Sequence, residues 1–288
     1  QKALQEIMVS KADWILMVAE HCLNSRFPTD KRYACYIDTD FPILAQTSPI
    51  KSRPGFKFYL RNYDKYTQES YNQMHLIFTQ NEWTKQSIIR RFGLQKDKVH
   101  NVRFGINIEP YYGKKDYNNE LLLIVLREFN HKTKGLDIII QALPIIQQKF
   151  PNVKLAVVGN KIYEHIENVT CYVGYPREKT QELFRQATLY VMPSRNEPNG
   201  ITYLEALANK TPFVALNRYA APEFAGYGEW SFLCDQESPE AISNIICEAL
   251  ADKQRLATMG EKGQQFVLEN YKWEKTVDTM INLMKKYE

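Results

Sequence analysis

Residues 189–216, LYVMPSRNEPNGITYLEALANKTPFVAL, decide the fold class of this chain. The segment opens with an apolar run, passes through a Pro-Asn-Gly turn, continues with strong helix formers and closes with a second apolar run. This order predicts a strand over 189–192, a helix over 200–208 and a strand over 212–216. A strand, a crossover helix and a second strand form the repeating unit of α/β proteins, in which the strands run parallel.

The same alternation continues on both sides of that segment. In the C-terminal part, the predicted strands are 121–126, 153–158 and 169–173, and the predicted helices are 136–149, 178–187, 239–251 and 253–271. In the N-terminal part, the predicted strands are 14–18, 33–37, 76–79 and 99–104, and the predicted helices are 2–11, 66–74 and 85–92. A polar stretch at 109–119 predicts a linker. We therefore expect two Rossmann-like domains, 1–108 and 109–288, with the first one incomplete and the last helix packing back on it.

The composition is that of a globular protein with a sizeable core. Of 288 residues, 44% are hydrophobic and 24% are charged, and the length suits about two domains. The longest apolar run, 121–126, is far too short to cross a bilayer. The five cysteines are odd in number, scattered and never in a C-x-x-C pair, which favours the reducing cytoplasm over a disulfide framework or a zinc site.

The net charge of +4 is unevenly distributed. Residues 1–110 carry 16 Lys+Arg against 11 Asp+Glu, and residues 111–288 carry 21 against 22. The excess is too small to indicate nucleic-acid binding, but a mildly basic first third suits an anionic substrate or peripheral contact with a membrane surface. Residues 48–66 interleave basic and aromatic side chains. Such a stretch suits contact with a membrane or an anionic acceptor, and it also suits packing of its aromatic side chains in the core. The irregular periodicity favours core packing.

Two glutamates, Glu197 and Glu205, stand in the opening segment with seven residues between them. Glu197 lies in the turn, and Glu205 falls on the apolar side of the predicted helix, one turn after Ile201. Burying an ionised carboxylate is costly unless hydrogen bonds satisfy it. Hydroxyl groups of a ligand can do so, and so can a neighbouring arginine. The spacing alone leaves these two interpretations open.

Asn199 and Gly200 join a predicted strand to the start of a predicted helix. Backbone N–H groups and the positive end of the helix dipole meet at such a point, which can bind a phosphate or a sugar hydroxyl. The alternative is a plain turn in which Asn199 caps the helix, and considered alone this is the commoner case.

A basic stretch, LREFNHKTKGLD at 126–137, begins at the end of a predicted buried strand. Arg127, Lys132 and Lys134 would stand at the carboxyl end of a parallel strand, where cations can neutralise a diphosphate. Single loop lysines are more often simply solvated. Neither G-x-x-x-x-G-K-[ST] nor G-x-G-x-x-G is present, which excludes the P-loop and the dinucleotide fingerprint.

Asp38 and Asp40 form a D-x-D pair after the strand predicted at 33–37. Two aspartates at this spacing are common in loops, so we interpret them as loop residues. The five histidines show no metal-binding spacing either. We therefore expect no metal site.

Together these segments resemble one family closely. Residues 192–216 resemble the E-x7-E motif of retaining glycosyltransferases of the GT-B fold, in family four of that enzyme class, with Glu197 and Glu205 as its two glutamates. Three further segments resemble successive parts of the same family: 78–107, the end of its N-terminal domain; 126–143, its basic strand–loop–helix; and 169–194, its next segment.

The resemblance implies a C-terminal domain that binds a UDP- or GDP-linked sugar and an N-terminal domain that faces the acceptor, a glycan or a lipid-linked hydroxyl. It implies that Glu205 holds the ribose hydroxyls and that Glu197 lies by the donor sugar. The backbone at Asn199, Gly200 and Ile201 would meet the sugar or the phosphate.

The resemblance also implies how the leaving group is stabilised. Arg127 and Lys134 would hold the departing diphosphate, with Lys134 preferred over Lys132 because it directly precedes the glycine. Gly174 and Tyr175 would lie near the base. The acceptor would attack the face that the leaving group vacates, which retains the anomeric configuration. The two cations and the helix end would replace a metal, and no cofactor is implied.

The chain departs from the family pattern in its first domain. No glycine-rich loop follows the first predicted strand, and Tyr36-Ile37-Asp38 stands where the family often has a histidine, so Asp38 is a candidate substitute. Two functions stay open: a retaining glycosyltransferase, and a non-catalytic nucleotide-sugar-binding or regulatory partner of one. The missing glycine fingerprint excludes a third class, the NAD-dependent oxidoreductases.

Overall fold

A computed structural model describes residues 10–18, 28–40, 52–126, 131–159 and 166–287. The chain divides into two compact units, one made of Gln1–Phe104 with Trp273–Glu288 and the other of Gly105–Lys272. The last residues of the chain thus belong to the first unit, although the whole second unit separates them from it in sequence.

The first unit contains a parallel sheet in the order β1-β2-β3-β4. Its described strands are β1 (Trp14–Val18), β2 (Arg32–Ile37), β3 (Leu76–Thr79) and β4 (Val99–Asn101), and its described helices are α1 (Phe56–Gln73), α2 (Glu82–Phe92) and the C-terminal helix Trp273–Met284. Tyr287, just beyond that last helix, meets Trp14 and His75 edge-on at ring-centroid distances of 6.0 and 6.4 Å.

Local sequence signals explain the bounds of α2. It begins three residues earlier than predicted because the Asn81 side chain accepts a hydrogen bond from the Thr84 N–H at 2.8 Å and so caps the helix. Gly93 ends the helix in the left-handed conformation, which glycine adopts without strain. Residues 2–9 of the helix predicted at 2–11 lie outside the described residues.

Helix α1 differs more from its prediction. It begins at Phe56, ten residues before the predicted start. Tyr63 is buried, as core packing of this stretch predicts, but three other aromatic residues are not. Phe58, Tyr59 and Tyr66 are 73%, 48% and 40% exposed. The favoured core interpretation is therefore wrong for these three side chains.

The second unit contains a larger parallel sheet in the order β10-β9-β8-β5-β6-β7. Its described strands are β5 (Leu121–Val125), β6 (Lys154–Gly159), β7 (Val169–Val173), β8 (Leu189–Val191), β9 (Phe213–Leu216) and β10 (Phe232–Cys234). Its described helices are α3 (Leu136–Gln147), α4 (Arg177–Gln186), α5 (Ile201–Ala208), α6 (Ala221–Phe224), α7 (Pro239–Ala251) and α8 (Lys253–Asn270). The α/β fold class is thus confirmed.

Strand order and chain order diverge between β5 and β8. These strands are hydrogen-bonded neighbours, although β6 and β7 separate them in sequence. Parallel sheets bind ligands at such a point, beyond the carboxyl ends of the strands. Every strand here except β10 is predicted to within two residues. No strand is predicted at the position of β10.

The stretch 109–119, predicted as a linker, contains neither helix nor strand, yet part of it is buried in the second unit. The Lys115 ammonium group donates to the carbonyls of Phe184 (2.9 Å) and Arg185 (3.0 Å) and to Thr211 Oγ1 (2.7 Å). Those carbonyls belong to the last turn of α4, so the lysine caps that helix. Burial lowers the pKa of Lys115 to about 7.

Replacing Lys115 with Met should change how stability depends on pH. The unfolded chain keeps the lysine proton up to a pKa of 10.5, whereas the folded chain releases it near pH 7. Raising the pH therefore favours the folded wild type. Between pH 7 and pH 9, the free energy of unfolding of the wild type should rise by about 2 kcal/mol relative to Lys115→Met.

Urea denaturation at the two pH values measures this difference. Lys114→Met is the control, since Lys114 is the exposed neighbour of Lys115. The same pH dependence in the wild type and in Lys115→Met would show that the lysine does not release its proton on folding.

Candidate active site

Two chain segments meet beyond the carboxyl ends of β5 and β8. Residues 131–135 lead into α3, and residues 193–200 lead from β8 into α5. The backbone N–H of Arg195 donates to the carbonyl of Thr133 at 2.7 Å, and Ser194 Oγ donates to the same carbonyl at 3.1 Å. The two segments therefore hold each other at the point where the strand order reverses.

Gly135 permits this close approach. Its φ of 78° favours glycine, and a Cβ atom there would lie 2.3 Å from the carbonyl oxygen of Pro193. No side chain fits at that distance. The glycine that follows Lys134 thus sets how closely the two segments pack.

Lys134 and Glu197 form the central pair of the site. Lys134 Nζ lies 2.5 Å from Glu197 Oε2, and Glu197 Oε1 accepts a hydrogen bond from the Gly200 N–H at 3.1 Å. Glu197 is only 9% exposed, so its charge needs these donors. The sequence predicts all three as site residues, but it does not predict that they contact one another.

Helix α5 has Gly200, not Asn199, as the residue that precedes its first turn. Gly200 has φ of 42° and offers no side-chain cap. The Glu197 carboxylate accepts a hydrogen bond from the Gly200 N–H, which places a negative charge at the positive end of the helix dipole. The alternative in which Asn199 caps the helix is therefore wrong. Asn199 is buried, and Ile201, the first helical residue, is 37% exposed.

Buried tyrosines fix α5 against the sheet. Tyr190 Oη lies 2.9 Å from Thr202 Oγ1, and Tyr203 Oη donates to the Met192 carbonyl at 2.8 Å. The Tyr203 ring also stacks on Phe213 with centroids 4.3 Å apart. Burial raises the pKa of both tyrosines, so both stay neutral hydrogen-bond donors. Sequence reasoning missed them because a tyrosine in an apolar run resembles any core residue.

Glu205 is buried on α5, as its apolar neighbours predict, with 5% exposure. Arg177 Nη2 lies 3.7 Å from Glu205 Oε1, an ion pair that is too long for a direct hydrogen bond. The interpretation in which an arginine accompanies Glu205 thus agrees with the structure. The Arg177 side chain is 55% exposed, so little packing opposes its displacement by a ligand.

Gly174 and Tyr175 follow β7 and lead to Arg177, the first residue of α4. Gly174 has φ of 60° with open space around it, and the Tyr175 ring lies 4.7 Å from the ring of Tyr172. Through Arg177, this segment reaches Glu205. The structure therefore links the residues predicted near the base to the one predicted near the ribose.

A cavity of about 350 Å³ opens beside Arg177. It is lined by residues 106–109 and by Arg177, Glu178 and Gln181 of α4. The side-chain amide of Gln181 donates to the carbonyl of Glu109. Sequence reasoning did not identify this cavity, since residues 106–109 carry no periodic pattern.

Two other predicted features have different outcomes. Arg127 lies outside the described residues, so its role stays a prediction. Asp40 is buried in the first unit and accepts a hydrogen bond from Ser87 Oγ at 2.6 Å.

Within the described ranges, no group of three or more His, Cys, Asp or Glu side chains is arranged to hold a metal ion. In that same part of the chain, every helix is too short or too polar to cross a membrane.

Residues 113–266 match the family model described as glycosyl transferases group 1. The chain belongs to this family. The matched segment contains the Lys134–Glu197 pair and Glu205. A GDP-mannose-dependent alpha-(1-6)-phosphatidylinositol monomannoside mannosyltransferase of Mycolicibacterium smegmatis is 32% identical over 158 residues, which cover 49% of this chain and 41% of that protein. The chain thus spans less than half the length of that relative.

Solved structures show the fold of this member of the glycosyl transferases group 1 family. Sucrose-phosphate synthase of Thermosynechococcus elongatus superposes with a TM-score of 0.70 at 18% identity, covering 89% of this chain and 68% of that one. Alr3699/HepE of Anabaena, solved with UDP and glucose, also gives 0.70 at 18% identity, covering 89% and 72%. At 18% sequence identity, the structural similarity establishes only the fold, which is GT-B.

The candidate site contains a further basic residue, Arg195, that sequence reasoning missed. Its guanidinium group donates to both carboxylate oxygens of Asp137, at 2.8 and 3.0 Å, and to Glu237 Oε1 at 2.6 Å. It also donates to the Lys132 carbonyl. The hydrogen bond to Asp137 is the main reason that the pKa of Arg195 is raised, so the guanidinium stays charged. No spacing rule marks Arg195, because its partners come from distant segments.

Gly200→Ala should destabilise the protein by about 2–4 kcal/mol, since the left-handed backbone disfavours a side chain and the new methyl group crowds its neighbours. That methyl group would lie 2.5 Å from Tyr203 and 2.7 Å from Phe224. Gly174→Ala is the control. It has a similar φ but nothing within 4 Å, so we expect a loss of only about 1 kcal/mol. Chemical denaturation measures both, and equal losses would mean that crowding does not fix the start of α5.

Proposed function

We propose that this protein is a retaining glycosyltransferase that moves a sugar from a UDP- or GDP-linked donor to a hydroxyl group of a glycan or lipid-linked acceptor. The Lys134–Glu197 pair, held on the Gly200 N–H where the strand order reverses, carries this proposal. It combines a cation suited to a leaving diphosphate with a carboxylate suited to a sugar hydroxyl. Residues 109–288 would bind the donor, and residues 1–108 would face the acceptor.

In this proposal, the nucleotide part of the donor lies along the carboxyl edge of the larger sheet. Glu205 would bind the ribose hydroxyls once Arg177 has moved aside, and Gly174 with Tyr175 would lie near the base. The position of Glu205, which is buried on α5 beside a half-exposed Arg177 side chain, supports this arrangement.

Sugar transfer would depend on the charge of Lys134. An ammonium group has three donors, so it can hold Glu197 and a phosphate oxygen at the same time. Together with Arg127, it would neutralise the charge that develops on the diphosphate as the bond to the sugar breaks. The acceptor hydroxyl would attack the face that the diphosphate vacates and pass its proton to the departing phosphate, which retains the anomeric configuration.

We propose that this transfer needs no bound metal and no cofactor. The two cations and the N–H groups at the start of α5 supply positive charge where a metal would otherwise do so.

Nucleotide release tests the proposal. Incubated with UDP- and GDP-sugars, the wild type should release UDP or GDP, and Glu197→Ala and Lys134→Ala should slow the release by about 100-fold, as loss of one transition-state contact does. Glu205→Ala should raise the Kd of UDP or GDP about 10- to 100-fold, because hydrogen bonds to a charged group are lost.

Glu182→Ala, on an exposed position of α4, is the control for both measurements. Binding without release, even with an acceptor present, would instead favour a non-catalytic nucleotide-sugar-binding or regulatory partner. Unchanged nucleotide affinity in Glu205→Ala would contradict the ribose role.

The exposed face of α1 supports a second part of the proposal, peripheral contact with the cytoplasmic side of a membrane. Six exposed residues of this helix are aromatic or basic: Lys57, Phe58, Tyr59, Arg61, Lys65 and Tyr66. Aromatic rings insert at the level of the lipid headgroups, and basic groups are attracted to anionic lipids. Such a contact would bring the protein to a lipid-linked acceptor.

Co-sedimentation with vesicles tests this contact. The wild type should bind vesicles of phosphatidylcholine with about one third phosphatidylserine more tightly than pure phosphatidylcholine, since each basic residue contributes about 1 kcal/mol at an anionic surface. Replacing Phe58, Tyr59 and Tyr66 together with Ser should abolish most of the binding. Tyr112→Ser with Tyr227→Ser, which changes two aromatics of the second unit that are 75% and 78% exposed, is the control. Equal loss in both variants would refute a specific role of α1.

A further inference from the structure

We propose that Arg195 is a positioning residue, which holds the turn that carries Lys134 in register with the segment that carries Glu197. It acts on the backbone before Lys134 and on the start of the helix after it. The positioning role stands on contacts alone, whereas its effect on catalysis rests on the proposed function.

Two hydrogen bonds from Arg195 hold the backbone before Lys134. The main-chain N–H donates to the Thr133 carbonyl at 2.7 Å, and Nη1 donates to the Lys132 carbonyl. With two successive carbonyls held, the peptide unit between them has little freedom to rotate. The direction in which the chain enters Lys134 is thereby set.

A bidentate ion pair holds the chain after Lys134. Arg195 Nη1 and Nη2 lie 2.8 and 3.0 Å from the two carboxylate oxygens of Asp137. Asp137 stands in the first turn of α3, where the helix dipole also favours a carboxylate. Lys134 therefore lies between two fixed points, and Gly135, which supplies the bend, adds no stiffness of its own.

The Nε–H group of Arg195 ties this arrangement to two further strands. Arg195 Nε lies 2.6 Å from Glu237 Oε1, and Arg218 Nη1 lies 3.0 Å from Glu237 Oε2. Glu237 follows β10, and Arg218 follows β9. The segment from Arg195 to Glu197 is thus anchored to the sheet as well as to the lysine turn.

This geometry differs from that of an ordinary surface ion pair. Single exposed pairs contribute little because both side chains lose freedom for a weak attraction. Here one planar group, 29% exposed, makes a bidentate pair, a second ion pair and a backbone hydrogen bond at once. A lysine has no fork of donors and cannot take all of these positions.

Chemical acetylation of lysines, followed residue by residue with mass spectrometry, tests the positioning without any substrate. In the wild type, Lys134 is paired with Glu197 and should react slowly. In Arg195→Gln it should react about fivefold faster or more, because the charge-assisted pair with Glu197 is loosened. The exposed Lys154 serves as the internal reference.

Arg218→Gln is the matched control. It removes the other partner of Glu237 but leaves the contacts of Arg195 to Lys132, Thr133 and Asp137, so the reaction rate of Lys134 should stay unchanged. If Arg195→Gln does not fold, Asp137→Asn removes one arm of the bidentate pair and carries the same expectation.

Kinetics with the active nucleotide sugar provide the second measurement. Arg195→Gln should lower kcat about 10- to 100-fold, as small misplacements of catalytic groups do, and leave the Kd of UDP or GDP within about twofold. Arg195→Lys should recover part of the loss. An unchanged Lys134 reaction rate in folded Arg195→Gln overturns the positioning role. If acetylation of Lys134 is faster in Arg195→Gln but the wild type turns over no nucleotide sugar, the result supports the positioning role and counts against the proposed function.

Discussion

The buried carboxylate of Glu197 sets the main constraint on the second unit, because it needs two donors that come from different parts of the chain. One is the ammonium group of Lys134, in the turn after β5, and the other is the Gly200 N–H at the start of α5. The Gly200 N–H lies three residues after Glu197 in the same turn, whereas Lys134 is 63 positions away in sequence and comes within reach because β5 and β8 are neighbours. The strand order of the sheet thus brings the lysine to this buried charge.

The surroundings of the pair keep the donors in place. The hydroxyl of Tyr203 binds the Met192 carbonyl and its ring stacks on Phe213, so α5 cannot rotate its first N–H away from Glu197 without breaking a buried contact. On the other side, the guanidinium of Arg195 fixes the lysine turn. Neutral hydrogen bonds from tyrosines thus hold the helix, and charged hydrogen bonds from an arginine hold the turn.

Periodicity in the sequence predicts most of this fold, because buried parallel strands and amphipathic helices differ in period and length. The resemblance to the glycosyltransferase family, rather than periodicity, predicts Lys134, Glu197 and Gly200 as site residues. Periodicity fails where a contact joins distant segments. The ion pair of Arg177 with Glu205 and the network of Arg195 have no local pattern.

Two errors have local causes. Asn199 has a strong preference for capping helices, but the residue at the N-cap position of α5 is Gly200, which has no side chain to offer. In α1, irregular spacing of aromatics suggested a core, yet Phe58 and Tyr66 are exposed. Irregular spacing does not distinguish a buried side chain from one that packs on something outside the chain.

The close contact between Gly135 and Pro193 has a consequence for protein engineering. The two segments that meet there are interlocked, because any larger residue at 135 would push the Pro193 carbonyl away and carry Glu197 with it. Neither segment can be exchanged alone for the corresponding segment of another family member. A graft that aims to change what this site binds would have to transfer both segments together and keep the glycine and the proline.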